Sequence, residues 1–260
     1  MILSRRGFLK VSGAAMLWLS CPGSMAARAV SIPVLVYHDI DPLPGEPEDL
    51  RPSLFAAELE WLYEAGYRAI SPDELEKTTG ETAGRAVVIT FDDGYASFLD
   101  YVFPLLSQYG MKATVNIIGK HMGSYVRGND PRLSWDECRF LRASGLVDIG
   151  CHSYGLHAWH RGQARASAVA AFNEQLPEDL RRFQDVYTRE MGRPATILAW
   201  PYGMHDSRSI EIAGQAGFRF LLTSVSRYFV RGEGRSDIPR FTMRGDDALL
   251  RFRELLEARP

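Results

Sequence analysis

Cysteine is scarce in this sequence: Cys21, Cys138 and Cys151 are the three in 260 residues. A disulfide framework is therefore excluded, and stability must come from a hydrophobic core. If Cys21 belongs to a leader, two thiols remain; we expect both to be buried, with a single bridge between them left open in an oxidising compartment. Positive charge is also in short supply. The formal net charge is −2, and because residues 1–29 carry Arg5, Arg6, Lys10 and Arg28 but no acid, the rest of the chain stands at −6. Such a body offers no electrostatic footprint for nucleic acid or an anionic membrane surface, so a neutral or cationic partner fits better. No apolar run is long enough to span a bilayer, and no internal repeat or low-complexity segment stands out. What is present, 46% hydrophobic residues over this length, suits one domain with one large core.

The first 29 residues read as an address. Ser4-Arg5-Arg6-Gly7-Phe8-Leu9-Lys10, followed by the apolar stretch Val11 to Leu19, has the form of a twin-arginine export signal, and small residues at 24–29 offer cleavage points. Ser20-Cys21 raises lipid attachment, but Trp18 stands where an aliphatic residue is wanted. The expected organisation is thus a signal peptide over 1–29 and one domain over 30–260, acting in the periplasm or outside the cell.

Within that domain, short apolar runs alternate with helical patterns. Ile32 to Tyr37, Ala86 to Phe91, Ala113 to Ile118, Val147 to Gly150, Thr196 to Ala199 and Phe218 to Leu222 read as strands buried on both faces. Between them fall a helix carrying Phe55, Leu59 and Leu62, a short helix from Leu75 capped at Ser71, and a helix carrying Phe98, Val102 and Leu106. A helix capped by Ser134, a long helical region interrupted at Pro177, and a helix from Ile210 complete the pattern. The section after 222 looks looser and charged. This alternation predicts an α/β fold with a parallel sheet, an irregular or incomplete (β/α) barrel, with its active site where the strands end.

Several chemically capable residues fall at those ends: His38, Asp92, Asp93, His152 and the Pro201-Tyr202 pair. Two neighbouring carboxylates alternate in direction along a strand, so one can hold a metal while the other moves a proton. Asp93, His152 and His157 supply two imidazoles and a carboxylate, a set that holds a divalent cation with one position open. The two histidines are five apart around Gly155, so they must meet through a loop. His160 is the competing ligand; His121 and His205 read as ordinary loop histidines. Trp135, Tyr154, Trp159 and Trp200 are candidates to stack on a ligand near these rims, although each reads first as core.

Thr90-Phe91-Asp92-Asp93-Gly94, the His152 to His157 stretch and Trp200-Pro201-Tyr202-Gly203 resemble the successive motifs of the polysaccharide deacetylases, the NodB-homology or family-four carbohydrate esterases. The resemblance covers roughly residues 32–225. The five-residue histidine spacing and the Tyr37-His38 pair are similar to one branch, the exported deacetylases of poly-β-1,6-N-acetylglucosamine, a biofilm exopolysaccharide. The resemblance implies a NodB-type barrel and a hydrolase that releases acetate. Its implied cofactor is a divalent metal on Asp93, His152 and His157: zinc, with nickel, cobalt and iron as the other candidates. It further implies Asp92 as general base, His38 as general acid and the backbone N–H of Tyr202 at the oxyanion. An N-acetylglucosamine polysaccharide is the implied partner, with an exopolysaccharide synthesis or export complex as the compatible assembly. Ala199 departs from the pattern, standing where the family has an arginine; Arg240 is the candidate replacement. Peptidoglycan or chitin oligomers are the alternative substrates, and a non-catalytic carbohydrate-binding protein is the alternative of another class.

Overall fold

The structure is a computed structural model that describes residues 30–79, 84–126, 130–157 and 164–258. The expected export signal with Cys21 lies outside the described residues, as do Trp159 and His160.

Runs such as Val34–Tyr37 and Ala86–Phe91, in which every residue is buried, need cover on both faces and therefore pair in parallel beneath helices. Among the described residues eight strands form the main sheet: β1 (Val34–Tyr37), β2 (Arg68–Ala69), β3 (Ala86–Phe91), β4 (Ala113–Ile117), β5 (Val147–Cys151), β6 (Ile197–Ala199), β7 (Phe220–Leu222) and β8 (Phe241–Thr242). Their order is β7–β6–β5–β4–β3–β1–β8, with β2 on the start of β3, and every pairing is parallel. The sheet curls into a half-barrel, as the alternating pattern predicts. It is incomplete on one side, where Ile238 bridges Leu222 and Phe241–Thr242 pair with Leu35–Val36. The few residues between those pairings cross from one edge of the sheet to the other. Arg240 lies in that crossing.

Register sets the rim. Tyr37 pairs with Phe91, and the Asp92 N–H donates to the Tyr37 carbonyl at 3.0 Å, so His38 and Asp92 leave neighbouring strands at the same level. Ile117 pairs with Cys151, and the His152 N–H donates to the Ile117 carbonyl at 2.8 Å.

The helices are α1 (Pro52–Glu64), α2 (Phe103–Tyr109), α3 (Trp135–Ala143), α4 (Arg165–Met191), α5 (Ser207–Gln215) and α6 (Leu249–Glu257). Ser134 and Glu137 cap α3 reciprocally, and Asp206 caps α5. Three expectations need correction. The Ser71 cap opens only a three-residue 3-10 turn, Pro72–Glu74, with Leu75 at its end rather than its start, although Glu74 closes the capping box on the Ser71 N–H and hydroxyl. Pro177 does not interrupt the long helix: α4 runs unbroken for 27 residues. Proline inside a helix costs about 3 kcal/mol, but Leu176, Leu180, Phe183 and Tyr187 continue one buried face across it, each worth roughly 1.5–3 kcal/mol. Finally, the charged C-terminal section is ordered, contributing β8 and α6. Cys138 and Cys151 are free thiols, both buried. Among the described residues no helix is long and apolar enough to cross a membrane.

Candidate metal centre and active site

At the end of β3 the chain must leave a fully apolar strand and turn. Asp92 continues inward and is 3% exposed. Asp93 and Gly94 take left-handed backbone, φ 71° and 70°, which swings the second carboxylate toward the loop after β5. There Asp93 Oδ1 lies 3.6 Å from His152 Nε2 and 3.2 Å from His157 Nε2. The three ligand atoms all lie within 4.8 Å of one another, separations that suit a single ion with bonds of about 2.0–2.2 Å.

Whether this set fits a divalent cation is answered by its hydrogen bonds. Asp93 Oδ1 is buried and has no hydrogen-bond partner among the described residues; an orphaned carboxylate oxygen there is costly unless a cation sits against it. His152 Nδ1 lies 2.9 Å from the Ala199 carbonyl. That carbonyl can only accept, so Nδ1 carries the proton and Nε2 presents its lone pair to the centre. Burial first, and then the neighbouring His152, lowers the His157 pKa to about 4, which keeps its imidazole neutral, the form a metal takes. The residues fit the group.

Asp92 has separate partners. Arg240 Nη1 donates to Oδ1 at 2.9 Å and Nη2 to Oδ2 at 2.7 Å, while Asn116 Nδ2 donates to Oδ1 at 2.8 Å. Arg240 is itself 2% exposed, anchored by Nε on the Thr223 carbonyl and by Nη1 on Thr90 Oγ1. Burial disfavours the charge on Asp92, but the Arg240 guanidinium and then His152 outweigh it and hold the carboxyl well below its ordinary range. The carboxylate thus stays ionised, and Oδ2 keeps capacity to accept another proton donor.

All six residues singled out in the sequence, His38, Asp92, Asp93, His152, His157 and Tyr202, line one cavity of about 500 Å³. His38 Nδ1 is buried there without a hydrogen-bond partner among the described residues. The Tyr202 hydroxyl lies 3.3 Å from His157 Nδ1, and the two rings are 4.7 Å apart. Among the described residues, left-handed backbone outside glycine occurs at Asp93, Ser153 and Tyr202. Each is a proposed functional residue or follows one, and each conformation costs about 1–3 kcal/mol that the surrounding structure must hold.

Trp200 is 1% exposed and stacks on His205 at 5.7 Å, yet it also borders the cavity. Trp135 packs edge-on against Tyr187 and serves the core. Tyr154 lies under the Arg182 guanidinium. Arg240, the candidate named for the arginine absent at Ala199, is held against Asp92. Asn116 went unnoticed, its only signal being an amide inside an apolar strand, and His121, read from the sequence as an ordinary loop histidine, lines the same cavity. His121 carries a pKa lowered first by burial and then by Arg132.

Comparison with known proteins identifies the family. The model of the family described as "Polysaccharide deacetylase" matches residues 79–221. The poly-β-1,6-N-acetyl-D-glucosamine N-deacetylase of Staphylococcus epidermidis is 24% identical over 194 residues, covering 74% of this chain and 67% of that one. Among solved structures, IcaB from Ammonifex degensii superposes with a TM-score of 0.75 at 24% identity, covering 87% of this chain and 95% of that one. A de-N-acetylase from Aggregatibacter actinomycetemcomitans gives 0.72 at 23% identity, covering 86% and 99%. At these identities the two structures speak to the fold, whereas the family model spans over half the sequence: the chain belongs to the polysaccharide deacetylase family.

Proposed function

We propose that this chain is a metal-dependent N-deacetylase that acts outside the cytoplasm on poly-β-1,6-N-acetylglucosamine, reached through twin-arginine export to the periplasm or beyond. The observation that carries the reading is the N₂O cluster of Asp93, His152 and His157 sharing one cavity with an ionised, arginine-held Asp92. The name of the Staphylococcus epidermidis relative supports the choice of polymer, as do the histidine spacing and Tyr37-His38.

A divalent cation, which we take to be zinc, would be held by Asp93 Oδ1 and the two Nε2 atoms, where it would supply Lewis acidity for the acetamide carbonyl and a water acidic enough to ionise near neutral pH. Asp92 Oδ2 takes the proton of the attacking water; Arg240 and Asn116 fix its orientation while it does so. His38, leaving β1 level with Asp92, gives a proton to the departing amine. The backbone N–H of Tyr202 donates to the carbonyl oxygen as it gains negative charge. Acetate and a glucosamine unit are the products.

The test is acetate release from β-1,6-linked, β-1,4-linked and peptidoglycan substrates compared side by side, with and without added zinc, nickel, cobalt or iron. No release from the β-1,6 polymer would sink the substrate assignment, and full activity after exhaustive chelation would sink the metal dependence. For export, loss of the protein from the periplasm of a host lacking twin-arginine translocation is the expected result.

A further inference from the structure

The two metal-site histidines reach the centre by different means. His152 stands at a strand end, its N–H on the Ile117 carbonyl and its ring on the Ala199 carbonyl. His157 lies five residues further along a loop, and a loop of that length has many ways of placing an imidazole.

That loop is clamped from both sides. On one side, the Ser153 and Tyr154 carbonyls accept the N–H groups of Gly119 at 3.1 Å and Lys120 at 2.7 Å. The approach is close enough to require glycine: a Cβ at Gly119 would stand 2.9 Å from the Tyr154 ring. On the other side, one carboxylate from the middle of α4 gathers three consecutive N–H groups. Asp179 Oδ2 accepts from Tyr154 at 2.7 Å, and Oδ1 accepts from Gly155 at 2.8 Å and Leu156 at 3.1 Å. An ionised carboxylate is suited to this because it only accepts, with two oxygens and about four lone pairs, and charge-assisted bonds of this kind are stronger than neutral ones. The peptide groups between the two ligands are thereby fixed to α4, a helix that buries one face against the core.

We propose that Asp179 is a positioning residue for the metal centre: by holding the N–H groups of 154–156 it sets where His157 presents Nε2. Asp179 touches neither the cation nor the substrate. Its role is the outer-shell one of keeping a ligand where binding requires it, so that the ordering of the loop does not have to be driven by the metal. The inference rests on the metal-centre reading of Asp93, His152 and His157.

The experiment uses the full chain as produced, wild type beside D179N and D179E, stripped of metal and titrated with zinc in competition with a chromophoric chelator. D179N keeps the shape but replaces one accepting oxygen by an N–H₂ that opposes a backbone donor. It is expected to bind zinc about 10–100-fold more weakly, beyond the modest drop in the metal-free unfolding midpoint that an opposed backbone donor brings, and D179E is expected to recover part of the affinity. A purely structural role would lower the metal-free midpoint and leave the affinity alone, and equal zinc affinity in D179N and wild type overturns the proposal. Absence of zinc binding by wild type overturns the underlying reading instead. Should D179N fail to fold, hydrogen exchange in the metal-free wild type decides: protected amides at 154, 155 and 156 support the clamp, and exchange at open-loop rates removes it.

Discussion

The Arg240 guanidinium closes on both carboxylate oxygens of Asp92, Nη1 at 2.9 Å and Nη2 at 2.7 Å, although 148 positions separate the two residues. Both are nearly inaccessible, at 2% and 3% exposure, so each is the other's replacement for water. Removing one partner of a buried pair strands the other charge, which costs about 3–5 kcal/mol. R240A is therefore expected to lower the urea midpoint by that equivalent and to abolish acetate release. R240K keeps the charge but loses the planar fork, so it should retain part of the stability and little of the turnover. An unchanged midpoint in R240A would remove Arg240 from the account.

A second buried carboxyl makes a different prediction. Glu58, on α1, is 2% exposed and accepts the Tyr37 hydroxyl at 2.9 Å. Burial raises its pKa from 4.5 to about 8, partly offset by the Tyr37 hydrogen bond and reinforced by Asp247. The folded state therefore binds a proton that the unfolded chain has already released. This contribution to stability is fully present below about pH 4.5 and is lost as pH rises toward about 8, at up to about 1.4 kcal/mol per unit. E58Q removes the ionisation while keeping a polar group for Tyr37. Urea unfolding at pH 5, 6, 7 and 8 should show the wild type losing stability relative to E58Q across that window, and parallel curves would refute the assignment.

The thiols give a third. Cys138 and Cys151 are buried in the core cluster, and burial pushes Cys138 up to about 12 and Cys151 well above its ordinary value. Thiolate, the reactive form, is absent near neutral pH. A thiol reagent should label neither residue in the folded protein and both in denaturant, even without reductant. Rapid native labelling, or loss of both thiols to a bridge, would contradict the buried, reduced state.

How much of this was readable from residues alone differs by element. Apolar runs ending in Asp92, His152 and Trp200 disclosed the parallel sheet and its rim because a strand buried on both faces has no polar alternation to blur it. Pro177 misled because the apolar stripe on either side carries more energy than one missing hydrogen bond. The C-terminal crossing was illegible for another reason: Phe241–Thr242 is a two-residue strand, too short to show any period, yet its pairing with Leu35–Val36 is what brings Arg240 to Asp92. Arg240 could be nominated from the gap at Ala199, but its geometry depends on that pairing. Asp179 left no signal at all, since an acid on a helix looks like any solvated residue until its three backbone partners are seen.

The adjacent carboxylates provide the sharpest test of the division of labour. Asp93 offers an unpartnered buried oxygen to two imidazoles, whereas Asp92 is tied to Arg240 and Asn116. D93N replaces a charged ligand by a neutral one, so bound metal and turnover should fall together. D92N leaves all three ligands in place: bound metal should stay at the wild-type level while acetate release falls by about 10²–10⁴-fold, the span that a positioned proton acceptor supplies. Metal analysis of the two purified variants, run beside acetate release, reads both at once. If D92N loses its metal or D93N keeps it, the roles given to the two residues are exchanged or shared. An unchanged rate in D92N would mean that the base lies elsewhere in the cavity.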